Sequence, residues 1–148
     1  MSGRTERVIG TTEESITAAE QELNRRFPPS YRNWCLQNNG RGIEVVNLFP
    51  IFDPRDPRKT WDSIVRNYHG DGQDWRENVA EWGFDSSPFL PIGKYCDGDY
   101  CCLDYSQVAE DGEVPVVLWS HETGDTEPGA TTFGEFLIKL ENGEFDND

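Results

Sequence analysis

The sequence has no long apolar run and, beyond Lys94, almost no positive charge. No stretch approaches the roughly 18 consecutive apolar residues of a spanning helix, and residues 1–10 lack the apolar core of a secretory signal. We therefore expect a cytoplasmic protein without a membrane partner. Lys139 is the single basic side chain in residues 95–148, so this region should repel nucleic acid and anionic lipid.

The acidic residues are unevenly distributed along the chain. The sequence has 28 acidic and 13 basic side chains, a formal net charge of −15. Residues 1–94 hold 14 acids and 12 bases (−2), whereas residues 95–148 hold 14 acids and one base (−13). Such a region attracts cationic partners and accelerates their association, so a basic protein is the expected partner. The same count also fits a solvated face that only maintains solubility.

The cysteines are few, and nothing in the sequence indicates secretion, so we interpret them as reduced thiols. A zinc site from Cys96, Cys101, Cys102 and His121 is disfavoured because consecutive strand residues point to opposite faces. A cysteine nucleophile with His69 or His121 as its base has no local signature. Nearby carboxylates would also raise the pKa of a thiol. We therefore interpret the cysteines as small buried hydrophobes and expect no metal or cofactor.

Hydrophobic spacing predicts a first helix over residues 12–26. Thr11 and Glu14 have the spacing of a capping box. The residues that recur on one face of this helix are Ile16, Ala19, Leu23 and Phe27. Two prolines at 28–29 end it, and proline at a first helical position suits a second helix that ends at Asn39.

Further elements are predicted in the middle of the chain. Residues 44–52 are rich in Val, Leu, Ile and Phe, which indicates a strand. A third helix is indicated by the spacing of Trp61, Ile64, Val65 and Tyr68. A short helix over 73–83 is indicated by the spacing of Trp75, Val79 and Trp82.

The apolar period changes from helical to alternating after residue 88. The runs 89–93, 100–105 and 114–119 are β-prone and are separated by Asp-Gly turn signals, which predicts an antiparallel meander. A last helix starts at a second capping box, Thr132 and Glu135. The 148 residues therefore predict one α+β domain. Its antiparallel sheet has about four to six strands, and the N-terminal helices and a closing C-terminal helix pack on one face.

No recognised catalytic motif is present in the sequence. Gly-rich phosphate loops, a Gly-x-Ser-x-Gly elbow and a His-Glu-x-x-His helix are absent. Carboxylates are too abundant for a pair of them to indicate glycoside hydrolysis. The segment Asp97-Gly98-Asp99 lacks the other ligands of a calcium loop and predicts a hairpin turn. Most aromatic residues have core spacing, but Trp61, Trp75 and Trp82 are less tied to a pattern, so a place on a binding surface is the alternative to the core for one of them.

Four ordered segments match the pattern of a known family. They are FPPSYRNW at 27–34, FLPIG at 89–93 followed by DGDY at 97–100, PVVLWSHE at 115–122 and TFGEFL at 132–137. Together they resemble the SUKH superfamily, the Smi and Knr-like domains, over about residues 12–140. The chain departs from that pattern in its second helix, where Trp34 and Cys35 replace the usual Phe and Leu, and over residues 53–87.

The resemblance implies an α+β domain that binds proteins and is not an enzyme. In bacteria such domains typically act as immunity proteins against a partner toxin, often a nuclease or deaminase. In fungi they occur in regulators of cell-wall synthesis, within longer chains. The short length favours the bacterial kind, so we expect an immunity protein that blocks a cationic toxin domain, a nuclease or other effector acting on nucleic acid.

The expected contact residues are acidic and lie after Lys94. They are Asp97, Asp99, Asp104, Glu110, Asp111, Glu113, Glu122, Asp125 and Glu127. Two alternatives remain open: a regulatory or scaffold module with a partner that is not a toxin, and a small cysteine-dependent enzyme whose site the sequence does not reveal.

Overall fold

The helices and the first four strands follow one another in the order that the sequence predicts. The computed structural model describes residues 10–39, 46–95 and 98–144. The helices in these ranges are α1 (Glu13–Leu23), α2 (Pro29–Asn38), α3 (Ile64–His69), α4 (Asp71–Glu81) and α5 (Phe133–Glu141). The strands are β1 (Val46–Leu48), β2 (Phe89–Tyr95), β3 (Asp99–Asp104), β4 (Val116–Trp119) and β5 (Thr126–Ala130).

Side-chain caps fix where the first and last helices begin. The Thr12 hydroxyl accepts a hydrogen bond from the Ser15 N–H (3.1 Å), so α1 starts one residue later than predicted. Thr132 caps α5 as predicted by accepting from the Glu135 N–H (3.0 Å). Each cap satisfies one backbone N–H that the helix itself leaves without a partner.

The five strands form one antiparallel sheet with the order β1-β2-β3-β4-β5. Tyr100 of β3 lies opposite Trp119 of β4, and Leu103 lies opposite Val116. Each strand therefore pairs with its neighbours in the chain, as a meander requires. The edge strand β5 is an addition that the sequence did not predict.

The two faces of the sheet are covered by different helices. On one face, Cys101 and Leu103 join a core to which α1, α2, α3 and α5 contribute. On the other face, Cys102 packs with Trp75 and Val79 of α4 and with the next strand. The α+β class, the antiparallel sheet and helices packed on one face are confirmed, and α4 adds a cover on the second face.

The cysteines that the structure describes are buried. Burial raises the pKa of Cys35 and of Cys101 to about 12 and also raises the pKa of Cys102. The described residues include no group of three His, Cys, Asp or Glu side chains that could hold a metal ion. None of the helices in the described ranges is long and apolar enough to cross a membrane. Cys96 lies outside the described residues.

A buried carboxylate joins α1 to the loop after β1. Asp53 is 1% exposed, and its oxygens accept hydrogen bonds from the Thr11 hydroxyl (2.9 Å) and the Arg55 guanidinium (2.7 Å). Its own N–H donates to the Thr60 hydroxyl (2.9 Å). The hydrogen bonds from Arg55 lower the pKa of Asp53 to about 2, against the opposing effect of burial.

This depressed pKa predicts a loss of stability in acid. The carboxyl binds a proton more readily in the unfolded chain, near pH 4, than in the folded one, near pH 2. Its contribution is therefore complete above about pH 5 and falls as the pH drops through about 4 to 2. Urea unfolding measured from pH 6 to pH 2 should show that the free energy of unfolding declines less in Asp53→Asn than in wild type. Equal declines would show that the Asp53 carboxylate does not cause the loss of stability in acid.

Candidate functional site

The predicted acidic residues lie at two different ends of the sheet. Asp99 begins β3 and Asp104 ends it, and six residues of strand separate the two ends by roughly 17 Å. Glu122 and Asp125, in the turn between β4 and β5, lie at the Asp99 end. The loop that carries Glu110, Asp111 and Glu113 leads from Asp104 to β4. Glu127 is exposed on the edge strand β5, and Asp97 lies outside the described residues.

At the Asp104 end, three of the acids hold the protein's own backbone or side chains. Asp104 is 5% exposed and accepts hydrogen bonds from the N–H (2.9 Å) and hydroxyl (2.6 Å) of Ser106. Asp111 accepts from the Glu113 N–H (3.0 Å). Glu113 accepts from the N–H (2.9 Å) and hydroxyl (2.7 Å) of Ser30 in α2. These oxygens are already used, so this end offers few free carboxylates to a partner.

Glu113 substitutes for the missing side-chain cap of α2. Pro28 precedes the helix and provides no side-chain cap, so the Glu113 carboxylate binds the first turn instead. Replacement by alanine should lower the free energy of unfolding by about 1 to 2 kcal/mol, which urea denaturation can measure. Glu110→Ala is the matched control, since that exposed side chain has no hydrogen bond or ion pair in the described structure. A similar loss in both variants would count against the cap.

At the other end, a carboxylate links the two hairpin turns. Asp99 Oδ1 accepts from the His121 N–H (2.9 Å) and lies 2.6 Å from His121 Nδ1. The His121 ring also packs against Gly98, where a Cβ would come within 3.1 Å of Nδ1. The side chains of Glu122 and Asp125 project from the linked turns and are exposed. We call residues 98–99 and 120–125 the hairpin end.

Helix α4 brings additional acids and an aromatic residue to the hairpin end. Burial raises the pKa of Tyr100, next to Asp99, and the nearby carboxylates of Asp71 and Asp74 raise it further. Trp82 follows α4 and is 65% exposed, and a Cβ at Gly124 would lie 3.7 Å from its ring. The surface there has the carboxylates of Glu122 and Asp125 beside one accessible indole, whereas Asp71 and Asp74 lie at the other end of α4 from that indole.

The three tryptophans that lacked a clear core pattern have different environments. Trp75 is 6% exposed and lies between α4 and the sheet, with its ring centroid 5.3 Å from that of Trp119. Trp61 is 57% exposed, but the Arg66 guanidinium covers its ring at 3.6 Å. Trp82 is therefore the best candidate of the three for a contact with another protein, because its ring is exposed beside carboxylates.

The fold defines a class of protein, an α+β domain with a five-stranded antiparallel sheet, and its hairpin end exposes carboxylates and one indole. The sequence model of the SMI1 / KNR4 family (SUKH-1) matches residues 10–139. The match covers most of the chain, so this protein belongs to the SMI1/KNR4 family. Domains of this family are generally immunity or regulatory modules without catalytic activity. A comparison with curated proteins gives no match.

Proposed function

We propose that this protein is an immunity protein that neutralises a cationic toxin domain by covering the surface with which the toxin binds nucleic acid. The observation that supports this most is the hairpin end, where the exposed Glu122 and Asp125 flank Gly124 and the exposed Trp82 ring lies beside that glycine. A nuclease needs a basic surface to bind phosphates. An acidic inhibitor binds that same surface by charge complementarity.

The contact divides into a steering part and an anchoring part. Exposed carboxylates at the rim of an interface mainly increase the association rate, and salt screens their effect. A central aromatic side chain that becomes fully buried contributes more to the lifetime of the complex. Trp82 is suited to the second role because a lysine or arginine of the toxin can lie against its exposed ring.

Growth protection tests the proposed function directly. The product of the gene next to that of this protein is expressed in a bacterial host alone, where we expect it to stop growth, and together with the full chain. We expect growth to be restored and the two proteins to purify as a complex. Continued toxicity with both proteins present and folded would overturn the proposal.

Charge reversal at the hairpin end should slow association with that toxin. In Glu122→Lys/Asp125→Lys, we expect an association rate about tenfold lower at low salt, with a smaller change in dissociation, measured by stopped-flow fluorescence. Glu14→Lys/Glu110→Lys changes the net charge equally, and both of its sites are exposed and away from the hairpin end. If association slows equally in both variants, net charge alone determines the association rate, and the position of the acids at the hairpin end does not.

A further inference from the structure

Three arginines line a groove on this otherwise acidic protein. Two adjoining hollows of about 540 Å³ each share Arg25 and Tyr68 in their walls. Arg26 and Tyr105 line the first hollow, and Arg76 lines the second. We call this surface the arginine groove. Its walls come from the C-terminal end of α1, from helices α3 and α4, and from Tyr105, which follows β3.

The guanidinium groups in the groove have no carboxylate partner. Within the described ranges, none of Arg25, Arg26 and Arg76 has an acidic oxygen within 4 Å, although the sequence has 28 acids and only 13 bases. Arg25 donates to the Ser87 carbonyl (2.6 Å). The Nη1 atom of Arg76 is buried without a hydrogen-bond partner in the described structure. Neutral contacts leave these charges uncompensated, which favours an anionic ligand.

The acids nearest to the groove do not neutralise it. Asp85 lines the second hollow, but its Oδ1 accepts hydrogen bonds from the N–H (3.1 Å) and hydroxyl (2.8 Å) of Ser87. Arg26 also borders a separate hollow that Glu20, Glu110 and Asp111 line, and none of these carboxylates reaches ion-pair distance from it. Glu20 instead accepts a hydrogen bond from the Phe27 N–H (2.7 Å) and lies 3.8 Å from Arg32. The positive charge of Arg26 therefore remains available to an incoming group.

The aromatic residues of the groove indicate which kind of anion it accepts. The Arg76 guanidinium lies 3.7 Å from the Tyr68 ring centroid, and the Arg25 guanidinium lies 4.9 Å from that of Tyr105. Both rings also pack against the core, so little ring surface remains on which a nucleobase could stack. Val108 lines the same groove and is 58% exposed, which offers an apolar contact.

We propose that the arginine groove binds an acidic segment of a partner protein. A carboxylate of the segment pairs with the exposed Arg26, because the planar guanidinium fork matches a carboxylate. The uncompensated charge of Arg76 attracts a second carboxylate into the adjoining hollow, and an apolar side chain covers Val108. An extended segment fits two hollows that share a wall. This surface is opposite in charge to the hairpin end, so it goes beyond the proposed neutralisation of a cationic toxin domain.

A labelled peptide tests the groove without any toxin. Fluorescein-labelled hexaglutamate is titrated with the full chain, and binding is followed by fluorescence anisotropy, with labelled hexaglutamine as the neutral control. We expect Arg26→Glu to weaken binding about tenfold or more. Arg58→Glu, which makes the same charge change at an exposed site outside the groove, should change it less than about threefold. Thermal unfolding of both variants confirms that they fold.

Several results would overturn this proposal. One is the absence of hexaglutamate binding to the wild-type chain, and another is an equal loss in Arg26→Glu and Arg58→Glu. Inorganic phosphate should displace the peptide no better than sodium chloride of equal ionic strength. Selective displacement by phosphate would instead assign the groove to a free oxyanion. Because no toxin is present, failure here is distinguishable from failure of the growth-protection test.

Discussion

Replacing Phe133 by alanine should lower the free energy of unfolding by about 3 to 5 kcal/mol. Phe133 is fully buried, and its ring centroid lies 5.0 Å from that of Tyr31 and 5.7 Å from that of Trp34. The ring therefore joins α5 to α2 above the sheet. Its removal leaves a cavity that two bulky neighbours in rigid helices can fill only in part. Urea denaturation of the wild type and of Phe133→Ala at neutral pH measures the difference in the free energy of unfolding.

Ile138→Ala is the matched control for Phe133→Ala because it lies in the same helix. Ile138 is 60% exposed, so we expect a loss of less than about 0.5 kcal/mol. Domains of this size are typically stable by only about 5 to 15 kcal/mol, so the Phe133 variant should lose a large part of its stability. Similar losses in the two variants would show that α5 does not close the core as described.

Local signals in the sequence were sufficient for most of the fold. The apolar face of α1 is predicted correctly, because Ile16, Ala19 and Leu23 are all buried. The cap of α1 is misplaced by one residue because the Thr11 hydroxyl donates to Asp53, which is 42 positions away. Short-range patterns contain no information about a partner so distant in the sequence.

Strand β5 was missed because its residues lack a strand signal. Its sequence is TEPGA, which has no aromatic residue and includes Pro128, and within sheets proline occurs mainly in edge strands and at bulges. Backbone pairing with β4 determines this strand, with Thr126 opposite Trp119 and Ala130 opposite Val116. The edge position tolerates proline because one side of the strand needs no partner.

The candidate site could be predicted only in part, because charge was counted along the chain. Asp71 and Asp74 belong to the nearly neutral first 94 residues, where bases such as Arg55 and Arg58 offset them in the sum. In the folded protein the two acids lie near Tyr100 and so add to the hairpin end. Conversely, Glu113 adds to the acidic count of residues 95–148, but its carboxylate caps α2, which begins 84 positions earlier at Pro29. Neither assignment is possible without the fold.

Removal of the Trp82 side chain should weaken the proposed complex with a toxin by about 2 kcal/mol or more, roughly thirtyfold in affinity. Trp82 is 65% exposed in the free protein, and its ring lies beside Gly124 at the hairpin end. A toxin that covers this ring removes a large apolar area from water and places its own cations against the indole. Most of the effect should be in the dissociation rate, which surface plasmon resonance measures for Trp82→Ala.

Trp61→Ala is the control that separates this role from the general loss of an exposed indole. Trp61 is 57% exposed, but the Arg66 guanidinium already covers its ring, and it lies in the loop before α3. We expect its removal to change the affinity less than about threefold. If Trp61→Ala weakens the complex as much as Trp82→Ala, the contact surface extends well beyond the hairpin end. If neither does, the toxin binds elsewhere, and the acids of the hairpin end serve solubility and not recognition.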